Sequence, residues 1–432
     1  MQTISGFLSE LGFLQTWEEM APVEEAFLDH MQKGLAGQPS SMPMLPAYLG
    51  VEGGAQEARD VIVMDAGGTN LRVSLLRLAP GQKPQTLYHH VQPMPGKAKP
   101  LEREAFFLEL AKAVAPVADQ SDRIGFCFSF PCRIRPDYDG EILYLDKEIT
   151  VDNIEGALVA QGLRDALATL GAPCHQRVVI LNDTVAALLG ALAEHPASCF
   201  SGFIGMILGT GTNCCYLENN ERITKEPNLC RKPGKSIINM EAGAFGAMRL
   251  TQADVLLSHG AKVSTQNLME KMVSGAYQGP LFDALLQCAN RAGCFSSGTQ
   301  ERLAAAGEGI SAVDISAFMA MPAHPGRIRD LAATPQDALA LYQLADALLE
   351  RAAKLAVMNL TAIMRATGTG VDPLMPVCVA VEGTTYMKNH LFRQKILAHL
   401  IHYTQNQRGY FCRVLSTPEA NLVGSAVAAT VI

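Results

Sequence analysis

The chain has no GxxxxGK[ST] stretch, which excludes a Walker-type phosphate loop. It has no CxxC pair, so its 11 cysteines, with Cys214 and Cys215 adjacent, read as reduced thiols of a cytoplasmic protein and not as a zinc framework. It has no long run of one charge sign, and its formal net charge of -7 over 432 residues excludes a general nucleic-acid binder. A local field at a site still admits an anionic substrate. No basic region precedes MQTISGFLSELGFLQTWEEM, and Glu10, Glu18 and Glu19 follow closely, so no signal peptide is expected. The most apolar long window, Phe200–Leu217, is interrupted by Gly209, Thr210, Gly211, Thr212 and Asn213 and fails as a membrane span.

What is present supports large cores: 48% of residues are hydrophobic and 18% charged, at a length that suits two domains. Residues 3–36 read as helical, followed by a Pro-, Ser- and Gly-rich loop over Gly37–Gly50. VIVMDAGGTNLRVSLLRL, Val61–Leu78, reads as a β-hairpin with a Gly-rich tip. Helices are expected over 102–118, 152–170, Asp183–Ala193, about Pro335–Ala366 and the alanine-rich end. Strands are expected at Arg123–Pro131 and Val178–Leu181, and Val377–Met387 reads as a strand ending in another Gly/Thr turn. SGFIGMILGTGTNCCYLE, Ser201–Glu218, repeats the order strand, Gly/Thr turn, strand. The repeat predicts two related α/β halves, each with a mixed sheet, facing each other across a cleft. Strand–helix alternation alone would equally allow a doubly wound nucleotide fold.

The chemistry concentrates at the turns. In DAGGTN, Gly67 and Gly68 let backbone N–H groups approach an anion, Thr69 and Asn70 add donors, and Asp65 is placed to hold a metal ion through water. A plain hairpin turn accounts for Gly-Gly equally well. GTGTN, Gly209–Asn213, offers the same donors, and two such turns facing each other would clamp a polyphosphate, as in actin-like ATPases. Asn182 and Asp183 end one apolar segment and begin another. Asp183 suits a helix N-cap, or a general base on a water-poor cleft floor. Asn239 and Glu241 in INMEAGAFG, and Asn267 and Glu270 in NLMEK, suit sugar hydroxyls, although Glu270 equally suits a solvated helix face. Ser129, before Pro131, ends a strand that also reads as a buried edge strand without further role.

These pieces together resemble the eukaryotic-type hexokinase/glucokinase family. MDAGGTNLRV resembles its first phosphate motif, GFCFSFPC its sugar-binding strand, LNDTVAALL its catalytic segment and LGTGTNCCYLE its second phosphate motif. INMEAGAFG and LMEKMVSGAY resemble its glutamate segments, and AVEGTTYMKNHLF its adenosine-side motif. The likeness runs from about Met31 to the end and is thinnest between about Gly293 and Gln343.

The resemblance implies two actin-like (RNase H-like) ATPase domains around a hinged cleft. The small one would comprise 51–181 plus 424–432, the large one 1–50 plus 182–423. It implies a hexose and Mg-ATP as partners, no nucleic acid, no membrane, and a monomer or homodimer. Asp183 would be the base on the sugar 6-hydroxyl, and Lys147 would touch both sugar and phosphate. Ser129, Phe130, Pro131, Asp146, Asn182, Asn213, Asn239, Glu241, Asn267 and Glu270 would line the sugar. Gly67, Gly68, Thr69, Asn70, Arg72, Gly209, Thr210, Gly211, Gly383 and Thr384 would hold ATP, and Asp65 would hold Mg2+ through water. Three departures mark a divergent, bacterial member. Leu145, Asp146 and Lys147 follow Tyr144 where the family has Asn-Trp-Thr-Lys. Ala242 replaces a tryptophan. TPEANLVGSA lacks a glycine-rich acidic run. The alternatives are a sugar sensor that keeps the fold without turnover, and a kinase for another acceptor such as an amino sugar.

Overall fold

The computed structural model describes residues 2–50, 57–145, 149–195, 197–259, 267–307, 309–416 and 419–431. Asp146 and Lys147 lie outside them. The chain opens with α1 (Ile4–Leu11) and α2 (Trp17–Leu35), then β1 (Leu45–Pro46), β2 (Arg59–Ala66), β3 (Asn70–Leu78), β4 (Gln85–Pro93) and β5 (Leu101–Glu102). Next come α3 (Arg103–Val114), β6 (Arg123–Phe128), β7 (Cys132–Ile134), β8 (Gly140–Ile142), β9 (Val151–Asp152), α4 (Val159–Thr169), β10 (Arg177–Leu181) and α5 (Asp183–Glu194). The second half runs β11 (Gly202–Leu208), β12 (Thr212–Asn219), α6 (Pro227–Cys230), β13 (Lys235–Asn239), α7 (Gln252–His259), α8 (Leu268–Val273), α9 (Gly275–Arg291), α10 (Ser297–Ala306), α11 (Ala312–Ala320) and α12 (Pro335–Thr367). It closes with β14 (Val377–Glu382), α13 (Thr384–Lys388), α14 (His390–His399), β15 (Cys412–Leu415) and α15 (Ala420–Thr430).

The two sheets share one plan. The five-stranded sheet is ordered β10-β6-β2-β3-β4, and the six-stranded sheet β1-β13-β12-β11-β14-β15. In each, an antiparallel meander of the first three strands (β2, β3, β4 or β11, β12, β13) is extended by two strands parallel to the first (β6 and β10, or β14 and β15). The expected repeat is therefore real at the level of topology, and both sheets are mixed. One apolar core lies around α12 and the six-stranded sheet, another between the five-stranded sheet and α3 and α4.

Several expectations are corrected. The first helical stretch is two helices: Gly12 closes α1 at φ 62°, and Thr16 opens α2 with a capping box to Glu19. The span 102–118 is α-helical only to Val114 and then tightens into a 3₁₀ turn over Ala115–Val117. Helix α4 starts at Val159, not near 152, because Val151–Asp152 pair in parallel with Leu101–Glu102. The strand holding Phe126 and Phe128 is not an edge: β6 sits between β10 and β2.

Helices α5 and α15 cross between the sheets at backbone contact. A Cβ on Gly424 would lie 1.8 Å from the Ala186 carbonyl oxygen, and one on Gly190 2.2 Å from that of Ala420. Only hydrogen fits at either position.

Candidate active site

The carboxyl ends of β2, β6, β10, β11 and β14 carry Asp65, Ser129, Asn182, Asp183, Gly209 and Gly383, the usual place for a site in α/β sheets, while Asn213 starts β12, Asn239 ends β13 and Glu270 lies on α8. Strand β10 ends at Leu181, and α5 begins two residues later. The cap of α5 is Asn182, not Asp183 as one reading of the sequence had it. Asn182 has φ -75° and ψ 157°, and its Oδ1 accepts the Thr184 N–H at 2.9 Å. Asp183 is the first helical residue, and its Oδ1 also accepts the Thr184 N–H at 2.9 Å. Cap and carboxylate are thus divided between neighbours, and Asp183 is half-buried, near enough to Asp65 and Glu382 for its charge to act on both.

A polar chain runs from the cap into the opposite sheet. Thr184 Oγ1 bonds Asn182 Oδ1 and reaches Asn239 Oδ1 at 3.4 Å. Asn213 Nδ2 donates to Asn239 Oδ1 at 2.7 Å, and Asn239 Nδ2 donates to Glu241 Oε1 at 2.7 Å. Asn213 Oδ1 accepts the backbone N–H groups of Cys214 at 2.7 Å and Ala242 at 3.1 Å, which fixes the amide's orientation. Glu241 sits at φ 56°, a left-handed conformation uncommon outside glycine. Glu270 is half-buried and accepts the Thr212 N–H at 3.2 Å, so it is not a solvated helix-face residue. Gly211 leaves room for it: a Cβ there would lie 2.8 Å from Glu270 Oε2 and push the carboxylate aside.

Two glycine turns flank this network. Gly67 N–H donates to the Asn70 carbonyl at 3.1 Å, closing the β2–β3 tip, and a Cβ on Gly67 would meet only open space and that oxygen at 3.9 Å. Gly209 N–H donates to the Gly211 carbonyl at 3.0 Å, closing the β11–β12 tip. The second turn is held from behind by Gly275 N–H on the Gly209 carbonyl at 2.8 Å and by Thr385 Oγ1 on the same oxygen at 2.8 Å. Gly383, at φ 112°, packs so closely that a Cβ would lie 2.4 Å from the Leu208 carbonyl. Thr69, Thr210 and Thr384 are exposed, while Gly68 and Asn70 are half-buried. Just after β6, Ser129 and Phe130 are buried and Pro131 is half-buried, with Phe128 and Phe130 rings 5.1 Å apart. Asn267 holds the position before α8 at φ 58°, with no side-chain cap bond.

Charge in the cleft is predominantly negative. Asp65 is paired with Arg72 at 2.7 Å. Burial pushes the Asp65 carboxyl above its ordinary range despite Arg72, and Asp183 adds to the rise. Glu382, at the end of β14, is pushed up to about 7, first by burial and then by Asp183 and Asp65, against the backbone N–H groups of Ala420 and Asn421 that it accepts. Such a carboxylate set is short of positive charge and fits a cation. Among the described residues no group of three or more His, Cys, Asp or Glu is arranged to hold a metal. A cation there would be held by one or two carboxylates and complete its shell with water and phosphate oxygens, as Mg2+ does.

Two residues were missed in the sequence. Lys97 Nζ donates to the Gly68 carbonyl at 3.3 Å and brings a cation to the first turn from a loop after β4. Glu382 stood inside the quoted AVEGTTYMKNHLF, where a carboxylate directly before the Gly/Thr pair was the available signal.

Hexokinase family models match residues 10–192 and 203–431, the second covering more than half of the chain. The chain belongs to the hexokinase family. It is 29% identical to human Hexokinase-3 over 401 residues, which is 88% of this chain and 42% of that protein. It is 26% identical to Hexokinase-3 of Oryza sativa subsp. japonica over 440 residues, 95% of this chain and 86% of that one. This hexokinase-family chain thus spans less than half the length of the human relative. The Schistosoma mansoni hexokinase complexed with glucose superposes with a TM-score of 0.80 at 22% identity, over 99% of both chains. A Thermus thermophilus ROK hexokinase superposes with a TM-score of 0.52 at 15% identity, over 86% of this chain and 98% of that one. These structures share the fold of this hexokinase-family chain, two mixed sheets flanked by helices.

Proposed function

We propose that the chain transfers the γ-phosphoryl group of ATP to the 6-hydroxyl of a hexose, glucose first, giving hexose 6-phosphate and ADP. The observation that carries this reading is the position of Asp183: it is half-buried at the carboxyl end of β10, next to the Asn182 cap from which the amide–carboxylate network runs, and its charge acts on Asp65 and Glu382.

In this reading Asn182, Asn213, Asn239, Glu241, Asn267 and Glu270 pair with the sugar hydroxyls, with Ser129, Phe130 and Pro131 forming the wall beside them. Fixed amides and carboxylates select a polyol because a substrate lacking a hydroxyl would leave them unpaired. Asp183 takes the 6-hydroxyl proton as that oxygen attacks the γ-phosphorus in line. The turns at Gly67–Asn70 and Gly209–Gly211 offer backbone N–H groups to the phosphates, with Thr69 and Thr210 adding hydroxyls and Arg72 and Lys97 adding charge. Gly383 and Thr384 approach the nucleoside side. Asp65 would hold Mg2+ through water, exchanging part of its pairing with Arg72. Mg2+, when bound, neutralises charge that develops on the phosphate oxygens. Asp146 and Lys147 carry the roles of the matching family segment, sugar contact for both and phosphate contact for Lys147.

The test is a coupled assay with ATP, Mg2+ and glucose, mannose, fructose and glucosamine. Turnover of a neutral hexose is the expected result. Turnover of glucosamine alone would reassign the acceptor. Tight sugar binding without turnover of any of the four would overturn the kinase reading in favour of a sensor.

A further inference from the structure

Helix α15 has an unusual cap. Its N-cap residue, Glu419, lies in the left-handed region at φ 59° and makes no side-chain cap bond. The free N–H groups of the first turn still need acceptors. Glu382 provides them from another element: its Oε1 accepts the Ala420 N–H at 3.0 Å, and its carboxylate also takes the Asn421 N–H. A carboxylate at this end is also favoured by the helix dipole.

The two ends of this contact belong to different elements, and the helix runs on from it to the other sheet. Glu382 is the last residue of β14, paired with Ile207 inside the six-stranded sheet. Helix α15 packs on the five-stranded sheet so closely that a Cβ on Gly125 of β6 would lie 1.9 Å from the Ser425 carbonyl. At its far end Arg123 Nη1 donates to the Ala429 carbonyl at 3.0 Å. The helix is therefore fixed to the five-stranded sheet from Ser425 onward, while its first turn lies against α5 and is capped by a side chain of the six-stranded sheet. The residue after Glu382 is Gly383, whose backbone rests on Leu208 and Gly209 of the second glycine turn.

We propose that Glu382 is a positioning residue, which couples occupancy of the Gly383–Thr384 turn to the placement of α15 and, through it, of the five-stranded sheet that carries Asp65. The nucleotide part rests on the kinase reading above. A ligand that presses on Gly383 moves the end of β14, and the carboxylate transmits that movement to a helix packed without slack. The contact acts through other groups and is not itself a bond to the reacting atoms.

The full chain and its Glu382→Ala and Glu382→Gln variants test this. Amide hydrogen exchange over 420–424 is followed with and without Mg2+ and the non-hydrolysable analogue AMP-PNP, whose binding is checked by calorimetry. Glucose affinity without nucleotide and the kinetic constants are measured in parallel. AMP-PNP is expected to slow exchange in the unaltered chain and to leave it unslowed in Glu382→Ala. For that variant kcat/KM for ATP should fall about tenfold, the scale of one lost charged cap, with glucose affinity within about twofold. Glu382→Gln, which retains one acceptor and no charge, is expected to be intermediate, and it stands in if the alanine variant does not fold. Equal protection by AMP-PNP in the variants and the unaltered chain would overturn the coupling, as would a parallel loss of glucose affinity and ATP kinetics. Absence of sugar phosphorylation by the unaltered chain would instead sink the kinase reading, since the exchange experiment reads α15 without turnover.

Discussion

At the scale of single residues, Asp183 and Asn182 divide two jobs that a sequence reader naturally gives to one. Asn182 satisfies the start of α5, so Asp183 is not needed as a cap and can serve a substrate. Asp183→Ala should therefore leave α5 intact and sugar binding measurable by calorimetry, while kcat drops at least about a hundredfold, the scale of a lost general base. Turnover near that of the unaltered chain would remove Asp183 from the mechanism. Gly211 is a second test of the site. Its Cβ would strike Glu270 Oε2 at 2.8 Å, and Glu270 holds the Thr212 N–H. A carboxylate can swing aside where a backbone cannot, so Gly211→Ala should fold normally by thermal melting. Its KM for sugar should rise by about one to two orders of magnitude, the scale of a hydrogen-bonding partner left unsatisfied. An unchanged KM would separate Glu270 from the sugar. Residue types and their order along the chain made most of these positions legible. The cap assignment at 182–183 was not, because it depends on which backbone torsions the strand end adopts.

At the scale of elements, the long helix α12 shows how one buried carboxylate sets a boundary. Asp337 accepts from Thr334 Oγ1 at 2.7 Å and from the N–H and Oγ of Ser296 at 2.9 and 2.6 Å, so the starts of α10 and α12 share it. Burial opposes its charge, but the donors from Ser296 and then Thr334 outweigh burial and hold the carboxyl down at about 2. A carboxyl whose folded pKa is depressed stabilises the fold above its unfolded value and loses that contribution as pH falls through the folded one. Stability measured by urea titration should therefore decline from about pH 4 toward pH 2, and Asp337→Asn should flatten that limb. At pH 7 the same variant should lose about 1–3 kcal/mol with sugar KM unchanged. An equally steep acid limb in the variant would refute the assignment. Elements of this kind were legible where signals are local: Thr334-Pro335 at the start of α12, Gly67–Gly68 at a hairpin tip, alternation along β3. Sheet order was not legible, because the place of β6 between β10 and β2 is set by packing and not by its own residues. Nor was the bond from Glu382 to α15, which joins groups 38 residues apart.

At the scale of the molecule, two sheets of the same topology are bridged by α5 and α15, crossing where Gly190 and Gly424 leave no room for a side chain. We propose a division into 51–181 plus 424–432 and 1–50 plus 182–423. It is supported by β10 lying in the five-stranded sheet, while α5, immediately after it, packs against β11 and β14. The polar network that would hold a sugar begins at Asn182 on that junction and ends at Glu241 beyond β13. A ligand bound across it would draw the halves together and exclude water, which otherwise competes as phosphoryl acceptor. Small-angle scattering should then show a smaller radius of gyration with saturating glucose than without. Asp183→Ala should show the same contraction, because closure depends on the hydroxyl partners and not on the base. The melting temperature should rise with glucose concentration in both proteins, as binding to the folded state alone requires. A rise in melting temperature without contraction would mean that sugar binds a cleft already closed, and the inter-sheet crossing would then be a fixed frame and not a hinge.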